Sequence, residues 1–323
     1  MNKNMENEKQ ASIYALPISI ILAGIMIAVG VYASKVPSPK DGTTRGVKAQ
    51  GAQTIKISAA EEAVTPVNGV ILPVSWGDLG VRLVNSGTID AEKFKAIYEG
   101  RGQFTEEYKK LLLGQNDGKL KITKTNAGFI LNLLWALGLA NNNPVLYSGE
   151  MIDSKYGGAQ GFASTGGWTL AKGSAMDHYS QHVLFNLTAE QQEIVERVSK
   201  NIYRPCCNNS THFPDCNHGM AMLGLLELMA SQGVSEQDMY KAALVVNSYW
   251  FPGAYMTLEN YMETRGIAWD KVQPEIILGS AYSSASGFAK ISSLTTQKSG
   301  NGGAGGCGVD SPLTTQQQSS CGI

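Results

Sequence analysis

The chain has 323 residues, of which 43% are hydrophobic, and a formal net charge of −1. That is ample apolar material for a packed core without staples. The near-neutral balance, with no block of Lys/Arg interleaved with aromatics, argues against nucleic acid as a partner.

Near the N-terminus, "IYALPISIILAGIMIAVGVYAS", residues 13–34, runs without a charge. At 1.5 Å per residue this length spans a bilayer. A signal peptide cut after Ala33 is the rival. The apolar run is long for a signal core, however, and Lys3 and Lys9 are offset by Glu6 and Glu8, so the segment reads as a transmembrane anchor preceded by a short segment, 1–12. Lys35, Lys40, Arg45 and Lys48 lie just past the span, and the positive-inside rule would keep them in the cytoplasm. A single N-terminal anchor commonly exports the domain C-terminal to it, and the expectation is a membrane-anchored, extracytoplasmic domain. Residues 35–63, rich in Pro, Gly, Thr, Lys and Ala, read as a flexible linker.

The folded part is expected from 64 to 293, mainly α with little or no sheet. "WGDLGVRLVNSGTIDAEKFKAIYEG" gives a short helix, a Ser86-Gly87 stop, and a second helix opened by Asp90. "GKLKIT" is a candidate brief strand. "NAGFILNLLWALGLANNN" is apolar nearly all round and reads as a buried helix. The Gly/Ser/Thr-rich stretch from Tyr147 reads as a long loop, with helix resuming at Ser174 over "AMDHYSQHVLF" through a capping-box start with Asp177. Thr188 and Gln191 repeat that device. Two further helices come next, one of them the apolar "GMAMLGLLELMASQG" closed by Gly233, the other capped at Ser235 and stopped at Pro252. Residues 294–323 are a Gly/Ser/Gln-rich tail, read as disordered, carrying Cys307 and Cys321.

Chemistry concentrates in "YRPCCNNSTHFPDCNHGM", residues 203–220, with three of the five cysteines and two of the four histidines. Cys206, Cys207, Cys216 and His218 are candidate metal ligands, since thiolate and imidazole hold zinc and copper. The spacing matches no standard zinc finger, and adjacent Cys206 and Cys207 are expected to project in different directions. Met220 and Met222 are soft thioethers nearby and favour copper over zinc, although a Met on so apolar a helix is commonly core filler. His178 and His182 stand at i and i+4 of the expected helix, the geometry of a two-histidine clasp.

The same atoms allow redox chemistry. Cys216 precedes a helix N-terminus, where the macrodipole stabilises a thiolate, with Cys206 or Cys207 as its resolving partner. They also allow a disulfide from Cys216 to one of the pair, worth about 2 to 3 kcal/mol. In a non-catalytic helical scaffold, such a staple would be the cluster's whole role. No Ser/His/Asp grouping, phosphate-cradling glycine loop or paired carboxylates point to an enzymatic reaction.

Over residues 190–245, the order of helix, Pro-Cys cluster, His-Gly step, apolar helix and "ELMASQGVSEQDMYKAAL" resembles two extracytoplasmic bacterial families. These are the lipoprotein-like proteins with the Pro-Cys-Tyr-Cys-Gly-Cys (PCYCGC) motif and the thiol-handling subunit of cytochrome c maturation. The first resemblance implies metal binding and the second thiol chemistry. Pro205, Cys206 and the Gly233-Val234-Ser235-Glu236 step match, whereas Cys206-Cys207 replaces the spaced cysteine pair of both families.

Overall fold

A computed structural model describes residues 58–296. The expected anchor, most of the linker, and the tail with Cys307 and Cys321 lie outside the described residues. Among those described, no helix is long and apolar enough to cross a membrane.

Two apolar helices form the centre. Helix α5 (Ala127–Ala140) and helix α9 (Asn217–Ser231) bury almost every residue, as their unbroken hydrophobicity requires. They approach closely because each presents a glycine to the other. A Cβ on Gly138 would overlap the carbonyl of Met220, and one on Gly224 would lie 2.5 Å from the carbonyl oxygen of Leu134.

The elements before this pair form one side of the core. Helix α1 (Ala59–Val64), capped by Ser58, forms in the last residues of the segment expected to be linker and ends at Val64, where the folded part was expected to begin. Strand β1 (Val70–Gly77) was not anticipated, though its buried Leu72, Val74 and Trp76 alternate with more exposed neighbours as a half-buried strand should. It pairs antiparallel with β2 (Asn116–Ile122), the expected brief strand, with Val70 opposite Ile122 and Gly77 opposite Asn116. Gln232, just past α9, takes both backbone groups of Ser75 with its amide, at 2.9 and 2.7 Å. Between the strands lie α2 (Leu79–Asn85), α3 (Ala91–Glu99), capped by Asp90 as expected, and α4 (Glu106–Leu113). Tyr108 stacks on Phe129 of α5, and Phe94 and Tyr98 meet that ring edge to face.

Residues 142–187 differ most from expectation. Helix α6 (Pro144–Tyr147) leads into the stretch read as a loop, which contains three single 3₁₀ turns and α7 (Ala163–Gly166). The helix expected from Ser174 is absent. The Ser174–Asp177 capping box forms, but it opens one 3₁₀ turn, Ala175–Asp177. Ser180 then takes φ of +56°, which ends any helical path, and the chain pairs with the end of α5 through Asn142 N–H to His182 O at 2.8 Å.

Helix α8 (Ala189–Asn201) starts at the expected Thr188–Gln191 capping box, and α10 (Glu236–Trp250) at Ser235. Pro252 stops α10 and also occupies the first turn of α11 (Pro252–Glu263), where its missing N–H costs nothing. The short α12 (Pro274–Leu278) and α13 (Ser280–Ser283) lead to α14 (Ala285–Thr296). The whole is mainly helical, with one two-stranded sheet among the described residues.

Candidate metal centre

The cysteine stretch is the connection from α8 to α9, and its backbone is held by hydrogen bonds to four neighbours. Tyr203 N–H donates to Leu278 O (2.8 Å), Thr211 N–H to Ile202 O (2.8 Å) and His212 N–H to Ser199 O (3.1 Å), while Ala285 N–H donates to Cys207 O (3.0 Å). Asn208 accepts from Ser286 N–H at 2.9 Å. The start of α14 thus clamps the Cys207-Asn208 corner.

A buried arginine sits at the middle. Arg204 is 1% exposed, and its guanidinium meets nearly every acceptor around it. Nε donates to Cys216 Sγ at 3.0 Å, one terminal nitrogen donates to Asn209 O at 2.9 Å, and the other pairs with the Asp215 carboxylate. Asp215 also accepts from Asn209 Nδ2 at 2.8 Å. A charge this deeply buried persists only with such partners. Burial opposes the guanidinium's charge, but Cys216, Cys207, Asp215 and Cys206 together hold it firmly protonated.

The three sulfurs form a near-equilateral triangle. Cys206 to Cys207 is 3.5 Å, Cys206 to Cys216 is 3.6 Å and Cys207 to Cys216 is 3.5 Å, and among the described residues none of the three is in a disulfide. The expected divergence of the adjacent pair does not occur. A turn carrying Cys207 N–H to Arg204 O at 3.3 Å folds both side chains toward Cys216. Cys216 is the N-cap of α9, its sulfur accepting from Gly219 N–H at 3.4 Å. His218, in the first turn of α9, lies against Phe251 and Trp250, with ring centroids 4.4 and 5.7 Å away.

Two ligand groups result. The donor atoms of Cys206, Cys216 and His218 lie within 4.8 Å of one another, as do those of Cys207, Asp215 and Cys216. Cys216 belongs to both. This Cys/His/Asp cluster could hold a metal ion. The three sulfurs lie within 3.6 Å of one another, and His218 joins two of them, Cys206 and Cys216, in one ligand group; a tetrahedral ion with bonds of about 2.3 Å places its sulfurs about 3.8 Å apart. The observed triangle needs only a slight expansion. All four donor residues are half-buried, with the Cys216 thiol on the inner side.

The charge in the triangle falls on Cys216. Hydrogen bonds from Cys206 and Cys207 hold its thiol well below the usual range against the opposing effect of burial, with Arg204 and His218 adding to the stabilisation. Cys206 is pushed up because its proton is shared with Cys207 and Cys216 and because it is buried.

The remaining histidines lie apart from these groups. His178 and His182 are not on a helix. His178 Nδ1 meets His182 Nε2 at 3.0 Å, and His178 Nε2 lies 2.9 Å from Lys172 O, where it donates. Neither belongs to the ligand groups above. His212 pairs with Glu196 at 2.7 Å. Sequence reasoning missed Arg204 and Asp215. Its available signal was a charged residue directly before Pro-Cys-Cys and an acid directly before Cys216.

Fold and site together define a mainly helical domain with a thiol-rich candidate metal centre at the N-terminus of a core helix. No family model matches the sequence, no curated protein matches it, and no solved structure matches the fold.

Proposed function

We propose that this chain is a membrane-anchored, extracytoplasmic metal-binding protein that holds one thiophilic ion on Cys206, Cys207, Cys216 and His218. The triangle of sulfurs, with the His218 imidazole beside Cys206 and Cys216, is the observation that carries this reading. Three thiolates and one imidazole form one of the standard ligand sets for zinc. The sequence preference for copper rested on Met220 and Met222, and both side chains lie in the core, as gap-filling methionines do. Zinc is therefore our first assignment, and cuprous ion, which also favours thiolate, the second. The half-buried setting favours an ion that is exchanged over one sealed in as a permanent staple. The apolar run 13–34 supports the anchor, and the resemblance to the PCYCGC-motif proteins agrees with metal binding.

Elemental analysis with thiol counting on one sample of the full chain tests the reading. The expected result is close to one ion per chain, with Cys206, Cys207 and Cys216 unreactive until the ion is chelated. Replacing Cys206 and Cys216 together by Ser should abolish loading. A chain that carries no zinc or copper after reduction and exposure to either ion contradicts it.

A further inference from the structure

We propose that the three-cysteine arrangement makes ion binding redox-controlled, oxidation closing a disulfide onto Cys216 and releasing the ion. This inference rests on the metal reading above and adds its regulation.

The geometry points to which bond forms. Each of the three sulfurs lies 3.5 to 3.6 Å from the other two, so a small side-chain movement brings any pair to bonding distance. Backbone geometry then selects among the pairs. Consecutive Cα atoms are about 3.8 Å apart across a trans peptide, whereas a disulfide spans roughly 4.4 to 6.8 Å between Cα atoms. Cys206 and Cys207 are thus the strained pair, and Cys216 bonds one or the other.

Cys216 is also the one residue common to both ligand groups. A disulfide to Cys206 leaves Cys207, Asp215 and His218, and one to Cys207 leaves Cys206, Asp215 and His218. Either way two thiolates are lost and one sulfur remains, so neither group survives. The third cysteine lies about as close to the new bond as to the old thiolate and is placed to attack it, which keeps the oxidised form open to reduction.

The oxidant is a peroxide. One thiolate attacks a peroxide oxygen, the O–O bond breaks and hydroxide leaves, giving a sulfenic acid. The second thiolate attacks that sulfur and displaces a second hydroxide. The two sulfurs together give up two electrons, and the peroxide takes both. The ion departs to solvent through the half-buried face of the cluster.

The experiment uses the reduced full chain and a variant with Cys307→Ser and Cys321→Ser, which removes the tail thiols from the chemistry. Each is loaded with zinc, freed of excess ion, and treated with hydrogen peroxide while a chromogenic zinc indicator reports release. Peptide mapping then locates the disulfide. The expected result in both proteins is one zinc released per Cys216 disulfide to Cys206 or Cys207, with reloading after dithiothreitol. Retention of zinc under oxidation, a Cys206–Cys207 bond, or release without any disulfide overturns the inference. A reduced chain that takes up no zinc before peroxide is added overturns the metal reading, and this inference with it.

Discussion

At the residue scale the candidate site depends on Arg204 as much as on its sulfurs. The guanidinium lies against Gly219, where an added Cβ would sit 2.5 Å from Arg204 Cζ. Because Arg204 is enclosed on every side, it has no room to give way. Gly219→Ala should therefore displace the guanidinium from Cys216 and Asp215 and leave charges underpaired, at a cost of about 1 to 3 kcal/mol. Zinc affinity measured against a competing chelator should fall about tenfold or more, and unchanged affinity would remove Arg204 from the account. Glu227 presents a separate residue-level problem. It is fully buried on α9, with Oε2 accepting from Asn141 Nδ2 at 3.2 Å and Oε1 without a partner among the described residues. Burial pushes its carboxyl well above the usual carboxylate range. Its folded value exceeds the unfolded one of about 4.3, so its contribution to stability is complete below that pH and is lost as pH rises through the folded value. Glu227→Gln should remove this loss. Thermal melts in chelator should find the variant more stable than the parent near pH 8, by about 1 kcal/mol or more, with the gap closing toward pH 4. Parallel pH profiles would show that the carboxyl is ionised in the fold.

At the element scale, the parts that were legible in the sequence are those specified locally. Helices α5 and α9 announced themselves by unbroken hydrophobicity, and Asp90, Thr188 and Ser235 marked starts that the structure keeps. The parts that were not legible depend on distant partners. Residues 174–185 carry a capping box and a helical spacing of histidines, yet the segment is drawn onto the end of α5, where Asn141, Asn142 and His182 pair. Local propensity cannot report such a pairing. Strand β1 was hidden by Pro73, although that residue lies on the exposed face of an edge strand that tolerates it. The α5–α9 crossing yields a direct prediction. Gly138→Ala places a methyl against the Met220 carbonyl, a backbone atom that cannot rotate away. It should lower unfolding stability by about 3 kcal/mol in urea melts, and a loss under about 1 kcal/mol would mean that the helices pack further apart.

At the scale of the whole molecule, the fold places one half-buried cluster of sulfur and nitrogen where α8, α9 and α14 meet. The residue types of this cluster were readable from the sequence, because three cysteines and two histidines within 13 positions, 206–218, stand out in a chain with five cysteines and four histidines. Their convergence was not readable. It depends on a turn that gathers two adjacent cysteines, on the N-cap role of Cys216, and on the buried arginine that the loop wraps. His178 and His182 have the better ligand spacing on paper, yet they meet each other and Lys172 instead. The central claim is that one ion sits within the sulfur triangle and touches His218. X-ray absorption at the zinc edge of the loaded, reduced full chain tests it most directly. The account predicts three sulfur neighbours at about 2.3 Å and one nitrogen at about 2.0 to 2.1 Å; a first shell of oxygen and nitrogen alone would contradict it.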